Sequence, residues 1–258
     1  MASSGALDIW LEGQVSYFNS KPSDARYQGH THIAMAGVDY RIMPGLIVGA
    51  MAQMDRIKQS SDNSTDVTGR GWMAGPYVSA KLMPSLFFDA RVLAGTSKNE
   101  LNDTDDFKTK RVLTSAKLTG SFSSGAWQVK PSAELMYFAD KQKEFTDSNG
   151  TVVESQTFKE GRLNFGPHIS YTMVMPDKSV FQPFVEVTGI WAFHRTDALT
   201  STNDEVSQKG ARARVKGGFS YRSPDGIRVT GAASFEGGGS TDYRSVQGEA
   251  RVAIPLQQ

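Results

Sequence analysis

Apolar and polar residues alternate without a break between positions 163 and 173, which read Leu163-Asn164-Phe165-Gly166-Pro167-His168-Ile169-Ser170-Tyr171-Thr172-Met173. Every odd position is apolar or proline, and every even position is polar or glycine. Because successive side chains of a strand point to opposite faces of the sheet, this period of two predicts a strand with one apolar face. Similar segments recur along most of the chain, about twelve in all, and they exceed the usual length of strands in soluble proteins. The pattern favours an all-β fold, a transmembrane antiparallel up-and-down β-barrel of about twelve strands.

The connections between the predicted strands are of two kinds. Tight turns rich in proline, glycine or serine, among them residues 43–45, 83–85 and 224–226, alternate with polar loops such as the Asn/Asp-rich segment around 102–106 and the segment 196–208. Bacterial outer-membrane barrels combine short periplasmic turns with longer extracellular loops. The alternation therefore predicts that both ends of the chain lie on the periplasmic side.

Composition excludes several other classes of protein. Only 39% of the residues are apolar, and no run of about 18 apolar residues occurs, which excludes a bundle of membrane-spanning helices. The net charge is +1 and the basic residues are interleaved with acidic ones, which argues against nucleic acid as a partner. The chain has no cysteine, so disulfides and thiolate metal sites are excluded.

Charged side chains concentrate on the polar faces of the predicted strands. If the apolar faces contact lipid, the polar faces line the lumen; the opposite arrangement would cost roughly 2 to 4 kcal/mol for each Arg or Lys near the membrane midplane. The alternation thus assigns Phe165 and Ile169 to lipid, and Asn164 and His168 to the lumen. The predicted lumen-lining residues include Glu12, Asp39, Arg41, Lys130, Glu134, Arg162, Glu186, Arg212, Arg214, Lys216, Arg228, Glu236, Glu249 and Arg251.

A basic ladder within this set, Arg212, Arg214 and Lys216, lies on one predicted strand. Buried charges need partners, so we expect structural ion pairs with acidic residues of nearby strands, namely Glu186, Glu236 and Glu249. The alternative is that the ladder contacts a polypeptide inside the lumen.

Aromatic residues fall near the ends of several predicted strands. Amphipathic rings favour the membrane interface, which predicts two girdles, although the β-propensity of aromatic residues is an alternative explanation for any one of them. The residues concerned are Trp72, Trp127, Trp191, Phe193, Tyr221 and Tyr243.

The sequence from Trp10 to Leu256 resembles the C-terminal translocator barrel of autotransporters, the type V secretion system of Gram-negative bacteria. No single motif is specific, and the order and spacing of the motifs carry the resemblance. The similar segments are Asp8–Gly13 for the first strand, Gly37–Arg41 with Pro44–Leu46 and Gly49, Gly75–Val78 with Leu86–Asp89, Lys130–Leu135, Gln182–Val187, and Gly248–Leu256 for the last strand.

The resemblance implies a barrel in the outer membrane that anchors the protein and helps to export an N-terminal passenger domain to the cell surface. It implies as partners the chain's own passenger and linker helix, outer-membrane lipids, the barrel assembly machinery and periplasmic chaperones, with a monomeric barrel expected. The lumen residues would then contact the linker or the passenger in transit. Some autotransporters cleave their linker with lumen carboxylates and an Asn; Asp39, Glu134 and Glu186 are candidates by position alone.

The two ends of the chain carry separate expectations. Residues 1–6 have neither a basic nor an apolar region of a signal peptide, so we expect a cloning junction or a linker remnant there, with the native sequence continuing upstream and the barrel occupying 7–258. Barrels of this family usually end on an aromatic residue, whereas this chain ends Leu256-Gln257-Gln258. We expect the difference to affect the efficiency of assembly rather than the fold.

Two other functions fit parts of the pattern. A stand-alone porin or adhesin would need a signal peptide directly before Leu7. An outer-membrane hydrolase would need a Ser or Asp with a His partner at the extracellular rim, and the sequence places no such set. The four histidines lack metal-ligand spacing, and residues 237–240 lack the Lys of a phosphate-binding loop, so we predict no metal, no cofactor and no enzymatic activity.

Overall fold

The computed structural model of this protein describes residues 7–20, 26–62, 66–102, 104–196, 211–238 and 243–256. Within these ranges, twelve long strands follow one another along the chain. They are β1 (Leu7–Ser20), β2 (Tyr27–Met43), β3 (Leu46–Ser61), β4 (Val67–Met83), β5 (Leu86–Leu101), β6 (Asp105–Gly120), β7 (Trp127–Gln142), β8 (Thr157–Tyr171), β9 (Val180–Thr196), β10 (Ala211–Arg222), β11 (Arg228–Gly238) and β12 (Tyr243–Leu256). Shorter strand segments lie in the connections at Phe122–Ser124, Phe145–Thr146, Val152–Val153 and Met173–Val174.

The sheet closes on itself. Every long strand pairs antiparallel with its neighbours in sequence, and β1 pairs with β12 in an unbroken register from Leu7–Leu256 to Ser20–Tyr243. Closure satisfies the backbone N–H and C=O groups of both edge strands, which a β-structure inside hydrocarbon requires. The sequence prediction of an antiparallel up-and-down barrel of about twelve strands is confirmed. Among the described residues there is no helix both long and apolar enough to span a bilayer.

The connections differ in part from the predicted alternation. One end of the barrel, which we call the turn end, carries the two-residue turns Pro44–Gly45 and Pro84–Ser85 together with Leu7 at the start of β1 and Leu256 at the end of β12. The opposite end is the loop end. The predicted long loop around 102–106 is wrong, because β5 continues to Leu101 and pairs with Asp105 at the start of β6. Ladder hydrogen bonds do not depend on the polarity of the side chains, so these strands continue outward beyond their apolar segments.

Contacts across several strands identify the inner face. The indole Nε1 of Trp10 on β1 donates to the hydroxyl of Tyr77 on β4 at 2.8 Å, and only side chains inside the barrel can meet across two intervening strands. On the outer face, large apolar side chains remain exposed, for example Leu11 at 64% and Met54 at 69%. This outer band is the lipid-facing surface of the barrel.

The aromatic prediction holds for the outer face but fails at one position. Trp72, Trp127 and Trp191 are half exposed on the outer face near strand ends, as expected for a girdle. Tyr243 instead faces the lumen, where the Arg212 guanidinium lies 4.7 Å from the centre of its ring. Its place at the start of β12 suggested a girdle, but its strand position puts it on the same face as Glu249 and Arg251.

Candidate functional site

One wall of the lumen is apolar. Trp10, Met51, Met73 and Leu93 are buried against one another, and the side chains packed around them come from β2, β4, β6, β7 and β12. The alternation did not predict this wall, because it assigns apolar faces to lipid. Its signal was present: Met51 and Leu93 stand within the apolar runs 50–52 and 92–94, where the alternation lapses.

Glycines make room for the large side chains of the apolar wall. Gly37 on β2 lies directly opposite Trp10 in the β1–β2 register and opposite Met51 in the β2–β3 register. A Cβ atom at Gly37 would lie 2.4 Å from the indole of Trp10. Glycine at this position is therefore what allows the indole to lie flat on the wall.

The indole of Trp10 connects the apolar wall with charged groups. Besides its bond to Tyr77, Nε1 lies 3.2 Å from a carboxylate oxygen of Asp39, to which it donates. The guanidinium of Arg251 lies 4.5 Å from the ring centre, a cation–π contact, and is paired with Glu12 at 3.4 Å. Of the predicted set, Asp39 and Arg251 therefore contact one aromatic side chain, and Glu12 is the ionic partner of Arg251.

The opposite wall, on β10 to β12, carries the basic ladder. Nε of Arg212 lies 3.1 Å from one carboxylate oxygen of Glu236, and Nε of Arg214 donates a hydrogen bond of 3.0 Å to the other. Nζ of Lys216 lies 3.1 Å from both carboxylate oxygens of Glu249. The expected counter-charges Glu236 and Glu249 are thus in place. Glu236 is buried and forms ion pairs with two guanidinium groups, so it is the central acid of this wall.

Glu186 does not serve the basic ladder as its principal partner. It lies opposite Lys216 in the β9–β10 register, but its carboxylate contacts the ring of His168 at 3.4 Å and accepts a hydrogen bond from Thr188 at 3.2 Å. The sequence analysis had no means of choosing between these partners, since His168 lies on the other neighbouring strand, β8.

The other predicted residues occupy separate parts of the inner face. Glu134 accepts a hydrogen bond from Asn164 at 3.4 Å, and Arg162 lies 4.0 Å from Glu160. Lys130 and Arg228 line a cavity near the turn end and form no ion pair with any residue that the structure describes. Arg41 is two positions from Asp39 on β2, on the same face.

A strong ionic contact that the sequence did not single out spans the lumen nearer the loop end. Arg111 on β6 donates from Nη1 to Asp55 on β3 at 2.7 Å and from Nε to Asp140 on β7 at 3.0 Å. The side chains of Arg111 and Asp55 are only 11% and 9% exposed. Residue type and alternation placed Arg111 and Asp55 in the lumen, but only the closed geometry brings them together.

The described parts of the walls enclose open space within the lumen. One cavity of about 1420 Å³ lies toward the loop end, bordered by Gln14, Asp55 and Ser97, and one of about 630 Å³ lies toward the turn end, bordered by Lys130 and Arg228. Glu249 borders both cavities, so its pair with Lys216 stands between them. Within the described residues no three His, Cys, Asp or Glu side chains are grouped as a metal site would need.

We expect Glu236→Gln to lower the free energy of unfolding by about 2 kcal/mol, because the guanidinium groups of Arg212 and Arg214 lose their shared buried anion. Urea unfolding of the barrel in detergent, followed by tryptophan fluorescence, measures the change. The control is Glu144→Gln, an exposed acid without an ion pair among the described residues, which should leave stability within about 0.5 kcal/mol. Equal effects of the two substitutions would contradict the central role of Glu236.

Comparisons with known proteins assign a family and a fold. A family model described as the autotransporter β-domain matches residues 9–234. The structure is similar to the β-domain of the Bordetella autotransporter BrkA, with a TM-score of 0.81 and 13% identity over 97% of this chain and 100% of that one. A comparison with curated protein sequences gave no match.

Two further solved structures are similar along nearly their whole length. The translocator domain of NalP from Neisseria meningitidis has a TM-score of 0.77 and 16% identity, covering 99% of this chain and 90% of that one. The transport unit of AIDA-I from Escherichia coli has a TM-score of 0.73 and 14% identity, covering 96% and 90%. At such low identity the structural likeness demonstrates a common fold.

Proposed function

Since this chain belongs to the autotransporter β-domain family, we propose that its lumen holds the linker that joins the barrel to its passenger. The chain is a translocator barrel of a Gram-negative outer membrane, which anchors an N-terminal passenger domain and helps to export it to the cell surface. In outer-membrane barrels the short turns face the periplasm, so the turn end of this barrel faces the periplasm and the loop end faces the outside.

The observation that carries the proposal is the internal pairing of the charged wall. Glu236 and Glu249 already neutralise Arg212, Arg214 and Lys216, so this wall does not need a bound polypeptide to compensate its buried charge. Such a wall would serve passage during export, whereas retention of the linker would fall to the cations at the turn end, Lys130 and Arg228. The predicted lumen residues would act as contacts of the linker after export, and as the lining of the passage during export.

The unpaired cations at the turn end supply a second element of the proposal. Lys130 and Arg228 both border the smaller cavity. Within the described residues neither has an ion-pair partner. Acidic side chains of a linker would therefore be attracted to this cavity when they enter from the periplasm.

Other partners follow from membership in the family and are part of the proposal. We propose that periplasmic chaperones and the barrel assembly machinery deliver the chain to the membrane, that outer-membrane lipids surround it, and that it works as a monomer with one barrel over 7–258. Members of this family act as translocators, and we propose that this barrel likewise has no catalytic activity of its own. Residues 1–6, expected to be a junction or linker remnant, and Gln257 and Gln258 lie outside the described residues.

Single-channel conductance tests whether the lumen holds the linker. We expect the purified barrel in a planar bilayer to conduct ions, and a version carrying its native upstream segment to conduct several-fold less, because a helix about 10 Å wide fills much of the lumen. The control carries a scrambled segment of the same length and composition. Unchanged conductance with the native segment, or equal block by the scrambled one, would contradict the proposal.

The alternative function is a stand-alone porin or adhesin. It requires a signal peptide immediately upstream of Leu7 instead of a long passenger reading frame. The length of the upstream reading frame therefore separates the two functions without any measurement on the protein.

A further inference from the structure

A row of basic side chains crosses five neighbouring strands on the outer face of the barrel. Each member lies directly opposite the next in the antiparallel register, and all are exposed. The basic row consists of His32 on β2, Arg56 on β3, Arg70 on β4, Lys98 on β5 and Lys108 on β6. At about 4.8 Å between strands, the row is roughly 19 Å long.

The register of the basic row is electrostatically unfavourable. Like charges directly opposite each other destabilise a pair of strands, and the contacts Arg56–Arg70, Arg70–Lys98 and Lys98–Lys108 are all of this kind. Among the residues that the structure describes, none of these four cations forms an ion pair. Glu100 and Asp106 lie opposite each other on the same face, two residues nearer the loop end, but neither forms an ion pair with Lys98 or Lys108. The basic row is thus a line of positive charge without direct ion pairs among the described residues.

The basic row stands at the outer border of the lipid-facing band. On β3 the outer positions from Leu46 to Met54 are apolar, and Arg56 is the next outer position. On β4 the girdle residue Trp72 and Arg70 occupy successive outer positions, and Arg70 lies nearer the loop end. Because the loop end faces the outside, the basic row lies at the level of the headgroups of the outer leaflet.

The exposed cations of the outer face are concentrated on β3 to β6, where Lys58 and Lys110 accompany the row, while β7 and β8 contribute Lys141 and Lys159. Lys110 and Lys141 lie opposite each other beside the row, on β6 and β7. Among the described outer side chains of β9 to β12, the one cation is Arg244. A charge needed only for general attraction to a negatively charged membrane would be distributed around the whole girdle. The concentration on β3 to β6 is typical of a binding site.

We propose that the basic row binds the phosphate groups of lipopolysaccharide in the outer leaflet. Guanidinium groups bind phosphate in a bidentate manner, and lysines add point charges, so Arg56 and Arg70 would fix the phosphates while Lys98 and Lys108 extend the contact. A lipid with a single phosphate would satisfy one or two positions. A glycolipid with several phosphates matches four cations in a line and can lay its acyl chains on the apolar band below.

Titration of fluorescent lipopolysaccharide into the detergent-solubilised barrel at about 0.15 M salt tests this site. We expect Arg70→Gln with Lys98→Gln to weaken binding roughly thirtyfold, since each cation near such a surface contributes about fivefold. The matched control removes two exposed cations elsewhere, with Arg244→Gln and Lys178→Gln, and should bind like the parent. The exchange Arg70→Lys with Lys98→Arg keeps the charge and should bind within about threefold of the parent.

Competitors distinguish the source of the phosphate. Dephosphorylated lipopolysaccharide, phosphatidylglycerol micelles and inorganic phosphate should each compete poorly against intact lipopolysaccharide. The native migration of unheated barrel in gel electrophoresis shows that each variant is folded. Equal binding by the parent and the Gln double variant, or equally good competition by phosphatidylglycerol or free phosphate, would overturn the proposal. Because the site is on the outer face, its failure would leave the linker proposal untouched.

Discussion

Gly95→Val should abolish the folded barrel. Gly95 on β5 lies opposite Met73 in the β4–β5 register, and a Cβ atom there would lie 1.8 Å from the carbonyl oxygen of Trp72 and 2.7 Å from the Cα atom of Met73. Both atoms belong to the backbone, so no side-chain rotation relieves the overlap. The two strands would have to separate, which breaks ladder hydrogen bonds where the lipid offers no replacement. We expect a loss of more than about 4 kcal/mol.

Refolding into detergent, followed by gel electrophoresis with and without heating, measures the folded fraction. The matched control is Gly217→Val on β10, where a Cβ atom would have nothing within 4 Å. Valine favours strands, so this control should fold as well as the parent. A Gly95→Val barrel with the parent's folded fraction and urea midpoint would show that β4 and β5 are not held so close together.

The alternation at residues 163–173 and its recurrence in about twelve segments predicted the fold because lipid imposes one rule on the whole outer surface. Every outward position within the hydrocarbon has to be apolar, and a strand has a period of two, so one amphipathic segment defines both faces. The inner face follows no such rule. It can be apolar, as at Met51 and Leu93, or charged, as at Arg214 and Glu236, as long as its members satisfy one another.

Which inner residues meet could be predicted only for neighbouring strands. Glu236 lies opposite Arg214 in the β10–β11 register, and sequence order was enough to suggest that pair. Arg111 and Asp55 are 56 positions apart, and their contact depends on how the closed sheet curves across the lumen. The error at Tyr243 had a different cause. The girdle position was predicted from its place at a strand end, whereas Tyr243 and Glu249 are an even number of residues apart on β12 and therefore share the inner face.

The contact of Arg111 with two acids is expected to be the most costly ionic contact to remove. Arg111→Met keeps the length of the side chain but leaves the carboxylates of Asp55 and Asp140 in the lumen wall without their cation. One oxygen of Asp140 already lacks a hydrogen-bond partner among the described residues, so that acid has little to replace the guanidinium. Removal of one member of a buried ionic group costs about 3–5 kcal/mol, and we expect a loss of this size in urea unfolding.

Two comparisons separate the charge of Arg111 from its packing. The guanidinium covers Gly71, since a Cβ atom there would lie 2.2 Å from Nη1, so part of the loss could come from the space left above β4. Adding Asp55→Asn and Asp140→Asn to Arg111→Met removes the unpaired charges and should restore at least half of the stability. The control Arg244→Met removes an exposed arginine without an ion pair among the described residues and should change stability by no more than about 0.5 kcal/mol. If the triple variant is no more stable than Arg111→Met, loss of packing over Gly71 explains the effect. The three side chains would then stabilise the lumen by filling space rather than by their ion pairs.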